Sequence, residues 1–262
     1  MSKIMLHFHI LAFLTFSLHT DSALGGEIKK RYFKPSQLIS FENAKTEIKE
    51  IYSLGGQRET FHCGCVFDEL LQVSSNICSQ KPEKTESKSS RKEFVKWVHA
   101  MPLQVIGKRL KCRTENTCDS SMAQRCCNQV SPKFKIIQAD MHNIFPSIHT
   151  KKTFHNSEFE DRGSGGFNGF FGGMEEYKLC KEDRQEFPLE HIQGDLARAY
   201  FYTSIQYRIP IPAELEDRLR AWHYQDPPSA WEEKRNTLIE NVQGNRNPFI
   251  DHPELAERVK DF

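Results

Sequence analysis

Apolar side chains recur every three or four positions in four parts of the chain, a spacing typical of amphipathic helices. The first pattern begins near Ser40 and Asn43, which are candidate helix caps. The third pattern ends at Pro227-Pro228 and the fourth at Gly244, both of which are expected helix terminators. The predicted helices cover residues 36–54, 189–209, 213–222 and 231–242.

One further run has the composition of a β-strand. Residues 94–102 are rich in β-branched and aromatic side chains, end at a Pro and carry His99 near their end. Polar or glycine-rich stretches without periodicity predict loops over residues 79–92, 112–127 and 162–173. Since no internal repeat or linker divides the chain, the pattern predicts a single α+β domain that is rich in helices.

The N-terminus has the pattern of a secretory signal peptide. Lys3 precedes an apolar run over residues 4–16, and small residues follow near Ser22-Ala23. This run is shorter than the ~20 apolar residues that cross a bilayer, and no later segment reaches that length. We therefore expect residues 1–24 to be a signal peptide and residues 25–262 to form the mature domain. The protein is expected to be periplasmic or secreted, with no membrane partner.

The cysteines favour disulfide bonds. All eight lie after the predicted signal peptide, and an even number of cysteines in an exported chain implies bridges. The pairing cannot be chosen from the sequence. The alternative is a zinc site, prompted by His62-Cys63-Gly64-Cys65, but the cysteines in Cys-x-Cys are closer together than usual zinc ligand pairs. We therefore expect a disulfide-stabilised domain.

The overall charge gives no indication of a partner. The net charge is +1, so no global field attracts a particular ligand. Basic residues do cluster over residues 29–31, 108–113, 133–135 and 151–152. A solvated surface explains any single cluster better than a binding site does.

The candidate chemistry lies in the stretch Asp140-Met141-His142-Asn143. Asp and Asn favour helix caps, so this stretch predicts a helix start whose polar side chains face a pocket. Asn143 offers a neutral carbonyl oxygen, which is a hard ligand suited to Mg²⁺. His99 could serve as a general base for cutting a phosphodiester, because histidine titrates near neutral pH. Taken alone, a helix cap and a structural histidine explain these residues more simply.

Five segments of the chain, taken in order, favour a functional role for these residues over a purely structural one. They are Phe61-His62-Cys63-Gly64-Cys65, Trp97-Val98-His99-Ala100-Met101-Pro102, residues 139–148, Leu196-Ala197-Arg198-Ala199-Tyr200-Phe201-Tyr202, and Ala230-Trp231-Glu232 with residues 242–249. Together they resemble the motifs of the bacterial endonuclease I family, exported nucleases of the His-Me finger class. The similarity extends over nearly the whole expected mature chain, and its last three segments are the most specific.

The resemblance implies a ββα-metal (His-Me finger) core. In that core His99 would activate water and Asn143 would bind Mg²⁺, with Mn²⁺ or Ca²⁺ as candidate substitutes. It also implies a catalytic Arg in the segment between these two motifs, where Arg109, Arg113 and Arg125 compete. We assign Arg125 to catalysis and the other two to substrate binding.

The resemblance further implies cleavage of DNA without sequence choice, to 5′-phosphate and 3′-hydroxyl ends. Contacts to the phosphate backbone fit such tolerance. RNA is left open as a second substrate, and a monomer is expected.

The chain departs from the family pattern at the candidate site. The family has a Glu directly before its catalytic His, as a second metal ligand, and this chain has Val98. Losing a carboxylate should weaken Mg²⁺ binding but need not abolish it, because Mg²⁺ usually keeps several waters and one or two protein ligands suffice. The segment after Ile148 also differs from the family sequence. The alternative function is therefore a family member that has lost catalysis and binds nucleic acid or a protein partner.

Overall fold

The computed structural model describes Tyr32, Ser36 and residues 40–74, 93–110, 112, 123–149 and 190–262. The expected signal peptide and the predicted loops over residues 79–92 and 162–173 lie outside the described residues.

A small antiparallel sheet carries the strand that was predicted to hold His99. Its strands are β1 (Gln72–Val73), β2 (Glu93–His99) and β3 (Ile144–His149), in that spatial order. Strands β2 and β3 pair from Phe94 opposite His149 to His99 opposite Ile144. The predicted strand is confirmed as far as His99, where β2 ends.

Helices make up most of the described chain. They are α1 (Phe41–Gly55), α2 (Leu103–Arg109), α3 (Ala123–Val130), α4 (Pro132–Gln138), α5 (Gln193–Tyr207), α6 (Ala213–Gln225), α7 (Ala230–Gln243), α8 (Pro248–Asp251) and α9 (Leu255–Arg258). The four predicted helices correspond to α1, α5, α6 and α7. The prediction of a helix-rich α+β fold is confirmed.

The ends of α7 follow from its sequence. Ser229 and Glu232 form a reciprocal capping box at its start, which satisfies two backbone N–H groups of the first turn. Gly244 ends the helix with a φ of 84°, a left-handed conformation that glycine adopts without a steric penalty. The predicted terminator at Gly244 is confirmed.

Two sequence predictions were wrong in their local structure. The stretch that begins at Asp140 does not start a helix, because a short 3₁₀ turn (Met141–Asn143) leads directly into β3. The segment from Cys112 to Cys127 is not wholly irregular, because its end lies in α3.

The disulfide prediction is confirmed for the described cysteines. Cys112 is bonded to Cys127, and Cys63, Cys65 and Cys126 are also in disulfides. No cysteine of the described residues is free. None of the described helices has the length and apolar character of a membrane span.

Two apolar cores meet at the candidate site. One packs α1 against the sheet and α7, with Ile48, Val95 and Ile239 fully or almost fully buried. The other packs α2 and α4 against α5 and α6, with Phe134 and Phe201 at its centre. The segment from residue 139 to 145 contributes side chains to both cores. Its position is therefore fixed from two sides.

Candidate active site

His99 is the last residue of β2, and its imidazole is fixed by two contacts. Its Nε2 lies 2.9 Å from the backbone oxygen of Gln138, at the end of α4. A carbonyl oxygen only accepts hydrogen bonds, so Nε2 carries the proton and Nδ1 carries the lone pair of the neutral ring. The ring of Phe41, the first residue of α1, packs against the imidazole with 5.1 Å between centroids. Nδ1 is therefore the basic atom of a ring held in one orientation.

Burial sets the protonation state of His99. It lowers the pKa of the imidazole from 6.5 to about 4, against the opposing effects of the Gln138 carbonyl and the charge of Asp140. The ring is therefore neutral at pH 7. A neutral imidazole can accept a proton from water, whereas an imidazolium cannot.

Asn143 braces the turn that follows His99. The Met101 N–H donates to Asn143 Oδ1 at 2.8 Å, and Asn143 Nδ2 donates to the Met101 oxygen at 3.1 Å. The Ala100 N–H donates to the backbone oxygen of Asn143 at 2.9 Å. The structure thus brings the two predicted site residues to the same end of the β2–β3 pair, with the Asn143 side chain 1% exposed.

Few described atoms near Asn143 could act as metal ligands. An amide oxygen has two lone pairs, so Asn143 Oδ1 keeps one beyond its bond to the Met101 N–H, and a hard cation would use it. Val98 supplies no ligand atom and lies opposite Phe145 on β3. Among the described residues, no group of three or more His, Cys, Asp or Glu could hold a metal ion. A Mg²⁺ ion there would have this amide oxygen as its one described protein ligand and would need waters for the rest of its coordination.

Asp140 anchors the 3₁₀ turn that ends in Asn143. Its Oδ1 accepts hydrogen bonds from the His142 N–H at 3.0 Å and from Gln243 Nε2 at 2.7 Å. Its Oδ2 accepts from the hydroxyls of Tyr202, at 2.7 Å, and Tyr207. The carboxylate is fully buried, so these four donors replace its hydration. Helices α5 and α7 thereby fix the turn.

Two buried arginines brace the same region. Arg235 Nη2 donates to the backbone oxygens of Met141 at 2.6 Å and Ile144 at 2.7 Å, on either side of Asn143. Arg198 binds both carboxylate oxygens of Glu232, with its Nε 2.7 Å from Oε1 and its Nη2 2.6 Å from Oε2. The Arg198 pair links α5 to α7 and has a structural role.

The sequence comparisons decide the family. A sequence model of the family described as Endonuclease I matches residues 40–254, which is most of the chain. The chain belongs to the endonuclease I family. A periplasmic deoxyribonuclease of Aeromonas hydrophila is 29% identical over 221 residues, which cover 81% of this chain and 85% of that protein. An extracellular deoxyribonuclease of the same organism is 29% identical over 226 residues, 83% and 91% of the two chains.

A third relative has a different printed activity. An extracellular ribonuclease of Bacillus amyloliquefaciens is 37% identical over 144 residues, 46% of each chain. The predicted resemblance to endonuclease I is thus confirmed. The periplasmic and extracellular relatives also confirm the predicted location, periplasmic or secreted.

Of the three candidate arginines of this endonuclease I family chain, the structure describes the side chain of only one. Arg109 is the last residue of α2 and is exposed. Arg125 lies on α3, but its side chain is outside the description, and Arg113 lies outside the described residues altogether. Their assignments to catalysis and substrate binding stay predictions.

Sequence reasoning missed the residues that position His99 and Asn143. Gln138 acts through its backbone oxygen, which every residue has, and Phe41 lies 58 positions before the histidine it contacts. No local pattern could have identified either residue. Tyr202 and Gln243 lie within segments that resemble family motifs, and this was the only signal available for them.

Removing the Asp140 carboxylate should destabilise the site. We expect Asp140→Ala to lower the free energy of unfolding by about 3 kcal/mol or more, because several buried donors lose a charged acceptor. Tyr207→Phe removes only one of these bonds and should cost about 1 kcal/mol. Urea unfolding measures both values. Equal and small losses for the two variants would show that the carboxylate does not anchor the turn.

Proposed function

We propose that this endonuclease I family member is an exported, Mg²⁺-dependent endonuclease that hydrolyses DNA without sequence preference and acts as a monomer. The observation that carries the proposal is the position of His99, neutral and with Nδ1 as its base, beside Asn143. The relatives named deoxyribonucleases support DNA as the substrate. Because one relative is named a ribonuclease, we also propose RNA as a second substrate.

In the proposed mechanism, strands β2 and β3 belong to a ββα-metal core. His99 Nδ1 takes a proton from the attacking water, while Nε2–H remains bonded to the Gln138 oxygen and stabilises the charge that the ring gains. Asn143 Oδ1 would hold Mg²⁺, or Mn²⁺ or Ca²⁺ in its place. When bound there, a divalent cation would supply positive charge to neutralise the phosphate and the leaving 3′ oxygen. Arg125 is the proposed catalytic arginine, and Arg109 and Arg113 contact the substrate.

Attack by water breaks the bond between phosphorus and the 3′ oxygen, which takes a proton from solvent, so the products have 5′-phosphate and 3′-hydroxyl ends. DNA ligase seals nicks with these ends, so we expect it to reclose plasmid nicked by the protein in Mg²⁺. Treating the nicked plasmid with phosphatase before ligation is the control and should prevent closure. Nicks that resist ligase without phosphatase treatment would contradict the proposed bond cleavage.

A second candidate function is binding without catalysis, to nucleic acid or a protein partner. Val98 favours it, because the position of the family's second metal ligand has no oxygen here. Measuring DNA binding and plasmid nicking on the same sample separates the two candidates. Binding with no nicking in Mg²⁺ would favour the second.

A further inference from the structure

Positive charge is concentrated in the three helices that follow His99 in the chain. Helices α2, α3 and α4, here called the basic platform, carry two, one and two basic residues and no acidic residue. Residues 190–262 instead carry thirteen acidic and nine basic residues. A solvated surface usually mixes both signs of charge, so the platform stands apart from the rest of the described chain.

Both ends of the platform are attached to the candidate site. Helix α2 begins at Leu103, directly after the turn whose Met101 backbone is bound by the Asn143 amide. Helix α4 ends at Gln138, whose backbone oxygen contacts the His99 imidazole. Since a helix of seven residues is only about 10 Å long, the basic residues of α2 and α4 lie within about one short helix length of the points where these helices meet the site.

Internal contacts hold the platform together as a unit. The Cys112–Cys127 disulfide joins the chain just beyond α2 to α3. A Cβ placed at Gly107 would lie 3.5 Å from the Cys127 sulfur and 3.7 Å from the Phe134 ring, so the three helices meet at this glycine. The three helices therefore form one packed unit.

Two of these basic side chains are well placed to bind an anionic partner. Arg109, on the last turn of α2, and Lys135, on α4, are both exposed. Neither forms a salt bridge with another residue of the described chain. Lys133 is also exposed, but its Nζ donates to the Tyr207 oxygen at 2.6 Å.

We propose that the basic platform binds the phosphate backbone of nucleic acid beside the cleaved bond, with Arg109 and Lys135 each contacting a phosphate. Duplex DNA carries one negative charge per ~1.7 Å of its axis, so two cations near His99 meet several phosphates. Contacts of this kind carry no sequence information, which fits a nuclease without sequence preference. The inference rests on the proposed function, because it takes His99 as the point of cleavage.

The test measures the salt dependence of DNA binding in a background that cannot cleave. The His99→Ala protein is titrated with a fluorescein-labelled duplex of about 20 base pairs in EDTA, at ~0.05 to ~0.3 M NaCl. Adding Arg109→Ala or Lys135→Ala should each reduce the slope of log K against log salt by about 0.9 and weaken binding about five- to tenfold at ~0.1 M salt. The matched controls are Arg258→Ala and Lys260→Ala, which remove exposed cations from the acidic C-terminal part. Both should leave the slope unchanged.

The inference would be overturned if Arg109→Ala and Lys135→Ala had the same slope as the His99→Ala parent. It would also be overturned if the Arg258→Ala and Lys260→Ala controls reduced the slope as much as the platform variants do. Absence of duplex binding by the His99→Ala parent over this salt range would also overturn it. Plasmid cleavage by the wild-type protein in Mg²⁺ is measured separately. Cleavage with unchanged slopes overturns only the platform, whereas reduced slopes without cleavage support the platform and overturn the nuclease proposal.

Discussion

His99→Ala is expected to lower the rate of DNA cleavage by about a hundred- to ten-thousandfold at saturating Mg²⁺, the usual contribution of a general base. The structure gives the reason: His99 Nδ1 is the lone-pair nitrogen of a neutral ring that Gln138 and Phe41 hold in one orientation. The measurement is the initial rate of conversion of supercoiled plasmid to nicked circles.

His191→Ala is the matched control for this prediction, because His191 is an exposed histidine on the 3₁₀ turn (Glu190–Ile192) that precedes α5. It should keep the wild-type rate. Thermal unfolding of both variants shows whether either has lost its fold, since His99→Ala leaves the Gln138 oxygen without its donor. A folded His99→Ala protein that cleaves within about threefold of the wild type would disprove the role of His99 as general base.

Val98→Glu is expected to lower the Mg²⁺ concentration needed for half-maximal activity by about tenfold, equivalent to about 1.4 kcal/mol. Val98 directly precedes His99 on β2 and is half-buried. A carboxylate there would add a charged oxygen ligand to a site in which we propose Asn143 as the single described protein ligand. The measurement is the nicking rate over a series of Mg²⁺ concentrations.

Lys96→Glu separates ligation from a general charge effect. Lys96 lies two residues before Val98, on the same face of the same strand. A new carboxylate at position 96 changes the local charge without reaching the position of the family's ligand, so it should lower the Mg²⁺ requirement by less than Val98→Glu does. An unchanged requirement for Val98→Glu would show that position 98 does not face the metal.

Long periodic elements could be predicted from the sequence. Helices α1, α5, α6 and α7 each have thirteen to fifteen residues, which gives the spacing of apolar side chains enough turns to be recognised. Helices α2 and α4 have seven residues each and were missed. Their stability comes from tertiary packing and the Cys112–Cys127 bridge, which local spacing does not reveal.

The segment from Asp140 to His149 shows where local reasoning fails. Asp140 does cap a turn, since its Oδ1 accepts the His142 N–H as a capping residue would. That turn is a single 3₁₀ turn, and the chain continues as β3 because Ile144 and Phe145 pair with β2. The partner strand lies more than forty residues earlier in the chain. Pairing between strands so far apart in the sequence is a tertiary contact, and a helix-cap motif does not predict it.

The residues of the candidate site could be predicted from the sequence, but their arrangement in space could not. His99 and Asn143 were named from family-like motifs, and the structure places them side by side at the end of β2. What fixes them is a set of long-range contacts, such as the bonds of Tyr202 and Gln243 to Asp140. Such contacts depend on how α5 and α7 pack. The candidate residues could therefore be identified from the sequence, but the contacts that hold them in place could not.

The most direct test of the proposed chemistry is plasmid nicking by the oxidised wild-type protein in Mg²⁺ and in excess EDTA, beside His99→Ala in Mg²⁺. We predict nicking by the wild-type protein in Mg²⁺ alone. Equal nicking by the wild type in EDTA, or by folded His99→Ala in Mg²⁺, would contradict a metal-dependent endonuclease with His99 as its base.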